Sequence, residues 1–258
     1  MMRILLTNDD GIGAAGLLAM CEALKGLGEV TVAAPRSPKS GAGHSITIYE
    51  TIACRRISID GETVAFSIEG SPADCVKVAV MRCLEQRPDL VVSGINLGSN
   101  VGINVLYSGT VAAAVEGAML GIPSVAVSAR KSETNLARVA GIARRIIEQF
   151  IDAGLASPGN EEAALLNINV PHLAAGLPKG VRLCRQSLKG FQEIMDHKGT
   201  SEDGDALYQL RGGVGHTPSE AETDIHALGA GYVAITPLKF DLTNDDLLKH
   251  LEGWKPEL

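Results

Sequence analysis

Two adjacent carboxylates, Asp9 and Asp10, follow the apolar run Arg3–Thr7 and precede Gly11, Gly13 and Gly16. Paired acids at a strand end are hard oxygen ligands for Mg2+ or Mn2+, cations that take one or two carboxylates and keep room for water and a substrate phosphate. Other clusters offer matching groups. "APRSPKSGAGHSIT" supplies Ser37, Ser40 and His44 after a second apolar run, and "SGINLGSNVGINVLYSGTVAAA" sets Asn96 just beyond a third. Ser108-Gly109-Thr110 directly precede an Ala-rich helical segment, where hydroxyls, free N–H groups and the positive end of the helix dipole favour phosphate. A metal site beside a phosphate site implies metal-assisted phosphoryl chemistry. Each cluster alone has a plainer reading: Asp10 closing its own turn, Ser108 or Thr110 capping the helix, His44 as a loop residue.

The same stretch poses a conflict, because Gly11, Gly13 and Gly16 spell the G-x-G-x-x-G of a dinucleotide site. A true fingerprint sets its first glycine at the strand end, so that backbone approaches a pyrophosphate. Here Asn8, Asp9 and Asp10 intervene, and two carboxylates about 4 Å from a like charge repel it by roughly 4 kcal/mol each at an effective dielectric near 20. The acid expected after the second strand is absent, although Arg36 in "APRSP" suits a 2′-phosphate, so an NADP-type oxidoreductase is the alternative, beside a nucleotide-binding module without turnover. A dehalogenase-type aspartyl phosphate is disfavoured, since its D-x-D would need Asp at position 8, which is Asn.

The elements that must position these residues alternate. The pattern predicts strands at Arg3–Thr7, Glu29–Ala34, Leu90–Ser93, "PSVAVSA" and Ala164–Val170, and helices over Gly16–Leu27, Ala73–Leu84, "TVAAAVEGAML" and Asn135–Ile151. Near-continuous apolar strands are those buried on both faces, so the fold class is α/β, a Rossmann-like and mostly parallel sheet flanked by helices over residues 1–170. Residues 45–69 alternate instead ("SITIYET", "RRISID", "TVAFSIE") and predict an antiparallel excursion turning at Asp60-Gly61. After "DAGLASPGNEE", a linker, and Pro171 the pattern weakens. Residues 171–258 read as hairpins and loops, a returning strand at 231–237 and a terminal helix from Asn244, an oligomerisation region.

Bulk properties narrow the partners. A formal charge of −7 and 3% aromatic residues argue against polymeric nucleic acid, which needs a basic footprint or stacking platforms. Glu116 interrupts the best apolar run before membrane-spanning length, and nothing resembles a secretory signal. The five cysteines form no C-x-x-C pair and read as reduced, mostly buried thiols of a cytoplasmic protein, with Cys75 and Cys83 on one helix.

"ILLTNDDGI", "APRSPKSGAGHSIT", "GSPADCVK", "SGINLGSNVGINVLYSGTVAAAVEG" and "TDIHALGAGYVAITPL" together resemble the SurE family of survival nucleotidases, in order and over nearly the whole chain. The resemblance implies a phosphatase of nucleoside monophosphates, acting at the 5′ or 3′ position with one divalent metal per subunit. It implies Asp9, Asp10, Ser40 and Asn96 as metal ligands and Ser108, Gly109 and Thr110 as the phosphate loop. Read as a mechanism, Asp9 is ligand or general base, Asn96 also meets the phosphate, and His44 is an accessory. It also implies a homodimer or homotetramer. Ala15, Ser71, Asn104 and Ala112 depart from the usual pattern, and none of them removes a ligand.

Overall fold

The computed structural model describes residues 1–157, 163–173, 176–190, 192–213 and 220–255. Residues 158–162 of the expected linker and 214–219 of the expected loop lie outside that set. One nine-stranded sheet carries the fold. Its strands are β1 (Met2–Thr7), β2 (Gly28–Pro35), β3 (Cys54–Ile59), β4 (Thr63–Ile68), β5 (Leu90–Leu97), β6 (Ser124–Ala129), β7 (Leu165–Val170), β8 (Val181–Leu183) and β11 (Val233–Pro237); among the described residues β9 (Gln192–Thr200) and β10 (Ala206–Gly213) pair only with each other. The helices are α1 (Ala15–Leu24), α2 (Pro72–Val78), α3 (Gly109–Met119), α4 (Leu136–Asp152), α5 (Asp224–Gly229) and α6 (Asp245–His250).

The order across the sheet is β3-β4-β2-β1-β5-β6-β7-β11-β8, and β4 through β7 run parallel. Every residue of β6 is buried, as a strand with helices on both faces must be. On one face α1 and α4 bury Leu17, Met20, Val139 and Ile147 against Leu6, Val92 and Val127. On the other, α2 and α3 pack Cys75, Val76 and Ala113 onto Leu5 and Val91. Alanine and glycine bring α3 close to the sheet: a Cβ added at Gly117 would lie 2.4 Å from Ser124 Oγ.

The chain leaves β1 toward β2 on one side and later returns to β5 on the other. That reversal opens a crevice at the carboxyl ends of β1 and β5, where open α/β sheets bind ligands. The strands from both sides of residue 170 share this sheet, because β11 pairs antiparallel with β7 and β8 joins β11. No helix among the described residues is long and apolar enough to cross a membrane.

Three local expectations need correction. "SITIYET" forms no strand: residues 45–53 have no ladder partner among the described residues, and Ile46, Ile48 and Tyr49 stay exposed. Alternation alone cannot satisfy a strand's backbone groups when β4 already pairs with β2 and β3. The antiparallel excursion is thus only the β3–β4 hairpin, turning as expected at Asp60-Gly61 with both residues at positive φ. The helix from Ala73 does not run to Leu84 as one α-helix; α2 ends at Val78 and widens into a π-turn over Ala79–Cys83. β5 continues past Ser93 to Leu97 through an irregularity between Ser93 and Asn96, so Asn96 sits on the strand's end rather than after it.

Candidate active site

The turn that carries the carboxylates is built by Asn8, a fully buried residue that sequence reasoning did not single out. Its side chain accepts from the Gly11 N–H at 3.2 Å and donates to the Gly11 carbonyl at 3.0 Å, while Ile12 N–H bonds the Pro35 carbonyl at 2.9 Å. Gly11 adopts φ +100°, a conformation side chains rarely tolerate. Gly16 serves packing: an added Cβ would lie 2.0 Å from the Ile95 carbonyl oxygen. Nothing lies within 4 Å of a Cβ at Gly13. The first and third glycines of the motif thus shape the turn and let α1 approach β5.

Asp9 is 5% exposed and points at the start of α3. Its Oδ1 accepts from Thr110 Oγ1 at 2.5 Å across 101 residues of chain. Burial pushes its carboxyl up, the Thr110 hydroxyl and N–H pull it down, and the neighbouring Asp10 pushes it up again; the net shift is upward. Asp10 is also raised by burial, against a hydrogen bond from the Leu97 backbone beside Asn96. Among the described residues no Lys, Arg or His forms an ion pair with either carboxylate. Two carboxylates are thus held close, half or fully buried, with no cation supplied by the protein. Such an arrangement is costly unless a cation joins it.

The remaining candidates surround this pair. Lys39 N–H donates to the Asp9 carbonyl at 2.8 Å, which brings the adjacent, exposed Ser40 to the crevice. Asn96 donates its amide N–H to the Gly98 carbonyl at 2.6 Å. If these four residues held a cation, their donors would all be oxygen, two carboxylates, a hydroxyl and an amide, the chemistry Mg2+ and Mn2+ prefer. Among the described residues no group of three or more His, Cys, Asp or Glu side chains is placed to hold a metal ion.

Ser108 and Thr110 have duties within the protein. Ser108 Oγ caps α3 by accepting the Val111 N–H at 3.1 Å, and the Thr110 hydroxyl is committed to Asp9. Gly109 permits the approach: a Cβ there would lie 2.8 Å from Asp9 Cβ and 3.0 Å from Pro72 Cγ. The helix N-terminus therefore abuts the Asp9 carboxylate, which draws on both the hydroxyl and the N–H of Thr110.

His44 is tied to a residue read earlier only as a charge interrupting an apolar run. Its Nε2 lies 2.9 Å from Glu116 Oε2, and Lys77 Nζ reaches Glu116 Oε1 at 2.5 Å. A single glutamate inside "TVAAAVEGAML" is the signal that would have found it, since a buried acid needs partners. The 40–47 loop is fastened further by Gly43 N–H on the Tyr107 carbonyl, Ser71 Oγ on the Ser45 carbonyl, and the Thr47 N–H and hydroxyl on Asp74. Burial pushes the Glu116 carboxyl up, but the hydrogen bonds from His44 and Lys77 outweigh it and hold it below its ordinary value. A depressed carboxyl contributes stability above the unfolded carboxylate range and loses it as pH falls through the folded value. Glu116→Gln is therefore expected to cost about 2 kcal/mol at pH 7. Urea melts should show the two proteins converging below about pH 4; a constant gap across that range would contradict the assignment.

From the far end of the chain Asp224 braces the site. Its buried carboxylate accepts from the N–H groups of Gly102, Ser187 and Ile225, at 2.8, 3.0 and 2.8 Å, holding the 3-10 turn over 102–107 that leads into Ser108. A second buried bracket links Asn100 to Asn167, Asn169 and Ser128 at the ends of β6 and β7.

A family model described as survival protein SurE matches residues 4–193. The chain belongs to the SurE family. A 5′-nucleotidase SurE of Rhodopirellula baltica is 43% identical to it, covering 98% of this chain and 98% of the relative. Another, of Syntrophomonas wolfei subsp. wolfei, is 40% identical over 96% of this chain and 92% of its own. The crystal structure of the SurE protein from Aquifex aeolicus matches with a TM-score of 0.81 at 38% identity, covering 96% of this chain and 98% of that one. The Rossmann-like, mostly parallel sheet flanked by helices is thus the fold this family member shares with a solved relative.

Proposed function

We propose that this chain is a divalent-metal-dependent phosphomonoesterase that hydrolyses nucleoside monophosphates, at the 5′ or 3′ position, to nucleoside and phosphate. The observation that carries the reading is the Asp9–Asp10 pair, held at the sheet's switch point beside the α3 N-terminus with no ion-paired Lys, Arg or His among the described residues. Full-length relatives named 5′-nucleotidase support the substrate class.

Asp9, Asp10, Ser40 and Asn96 would hold one Mg2+ or Mn2+ ion. Bound there, the ion would neutralise phosphoryl charge and supply an activated water. The α3 N-terminus, entered at Ser108, Gly109 and Thr110, would stabilise the phosphoryl oxygens as charge redistributes. Thr110 orients Asp9, and Asp9 would act as ligand or accept the water's proton. His44, anchored on Glu116, is an accessory on the loop that carries Ser40.

The chain would work as a homodimer or homotetramer. The β9–β10 hairpin stands apart from the main sheet with Ile194, Met195, Tyr208 and Leu210 exposed, and α6 buries none of its residues, exposing Leu247 and Leu248 beside Trp254 further on. Apolar surface of that kind marks an association face.

The test is phosphate release from a panel of 5′- and 3′-nucleoside monophosphates after chelator treatment, with Mn2+ or Mg2+ restored singly. Metal-dependent release from at least one nucleotide is expected. No release with any metal would overturn the reading, and tight NADP binding in the same preparation would point to the dinucleotide alternative.

A further inference from the structure

Away from the carboxylate crevice, two thiols from separate elements meet. Cys54 opens edge strand β3, and Cys83 ends the π-turn that follows α2; their sulfurs lie 3.7 Å apart. We propose that Cys54 and Cys83 form a reversible thiol–disulfide site, oxidised by low-molecular-weight disulfides of the glutathione class.

Both backbones are fixed where they need to be. Cys54 is opposite Ile68 in the β3–β4 ladder, and the adjoining Glu69 N–H bonds the Ala53 carbonyl at 2.8 Å. On the other side, Leu84 N–H closes the wide turn onto the Ala79 carbonyl at 3.0 Å, and Cys83 packs against the cluster of Ile68, Cys75 and Val76. A bond of about 2.05 Å then requires the sulfurs to close by less than 2 Å, within reach of a side-chain rotation at exposed Cys54. Wide π-turns interrupting α-helices occur frequently at functional positions.

Exposure sets the order of events. Cys54 is exposed, whereas Cys83 is half-buried, and burial together with its contact to Cys54 pushes the Cys83 thiol up to about 11. A bulky disulfide reaches the exposed sulfur first, so Cys54 is the entry point. Its thiolate attacks one sulfur of oxidised glutathione, the glutathione S–S bond breaks, one glutathione thiolate leaves, and a mixed disulfide forms on Cys54. The Cys83 thiol gives up its proton, its sulfur attacks Cys54 Sγ, and a second glutathione leaves. Two protein thiols lose two electrons and two protons, and one glutathione disulfide becomes two thiols. The product ties the edge hairpin to the exit of α2 and closes the loop between residues 54 and 83. Cys21, Cys75 and Cys184 are buried and stand outside the exchange.

The experiment equilibrates the full-length protein in a series of reduced-to-oxidised glutathione ratios, quenches with an alkylating reagent, and reads intact mass and peptide maps. Expected is a species carrying two fewer alkyl adducts than the reduced protein, with the Cys54 and Cys83 peptides joined, reversed by dithiothreitol. Its melting temperature should rise by about 5 °C, as a loop cross-link of this length implies. C83S should stop at the mixed disulfide on Cys54, and C54S should form neither product. A wild-type protein that halts at the mixed disulfide, bridges Cys54 to Cys75 instead, or stays a dithiol at every ratio would overturn the proposal. Phosphate release is a separate readout, so failure here leaves the nucleotidase reading standing.

Discussion

Asp10→Asn is expected to lower nucleotidase turnover about a thousandfold, the several kcal/mol that a divalent cation supplies in phosphoryl transfer, while the protein stays folded. The physical reason is the charge balance of the crevice. Burial raises the carboxyls of both Asp9 and Asp10, and each sits without a basic partner among the described residues. A carboxyl whose folded value is raised is an unfavourable anion at neutral pH, so the metal-free fold carries a penalty that a cation removes. Asn keeps the shape and one oxygen but deletes the charge and its repulsion on Asp9. Two opposite shifts should follow. In chelator the variant should melt above the wild type, and in Mn2+ the wild type should gain stability that the variant lacks. Paired thermal melts with a phosphate-release assay check all three. Turnover within a few-fold of wild type, or an undiminished Mn2+-induced rise in the variant, would remove Asp10 from the metal site.

The second large effect separates the two readings of the glycine motif. Gly16→Ala is expected to destabilise the fold by about 3 kcal/mol, because the new methyl group meets the Ile95 backbone carbonyl rather than a side chain that could turn away. Relief requires α1 to lift from β5 or the Ile95 peptide to shift, and Asn96 is its next neighbour, so catalytic efficiency should fall as well. Gly13→Ala should be nearly silent, within about 0.5 kcal/mol, since a Cβ there meets no atom within 4 Å. A dinucleotide fingerprint predicts a different sensitivity, because its middle glycine admits the pyrophosphate. Urea unfolding of both variants, with NADP binding measured on Gly13→Ala, decides the matter. Equal stability of the two alanine variants would contradict the packing role of Gly16.

Much of the core was legible because it rests on local rules. The both-face burial of β1, β2, β5, β6 and β7 shows as near-continuous apolar runs, and the intervening helical spacing forces parallel crossovers. The β3–β4 turn was legible for the same kind of reason, Asp60-Gly61 being a dipeptide suited to positive φ. Failures came where a segment's state depends on a distant partner. "SITIYET" alternates like a strand, yet no neighbour offers it a ladder, and it is instead fastened by Ser71 and Asp74. The Ala73–Leu84 periodicity could not report that the chain would widen at Ala79.

The carboxylate pair shows where the division falls. The order of residues by itself determined that Asp9 and Asp10 follow a buried strand, that Ser108 or Thr110 caps a helix, and that the chain folds as an α/β sheet, because these depend on neighbours within a few positions. Only the tertiary structure decided that Thr110 binds Asp9, that Glu116 answers to both His44 and Lys77, and that Asp224 braces the turn before Ser108. Those contacts follow from the strand order β4-β2-β1-β5-β6, which brings the ends of separate crossovers to one edge. Periodicity records which face of an element is buried; it carries no record of which element lies beside it.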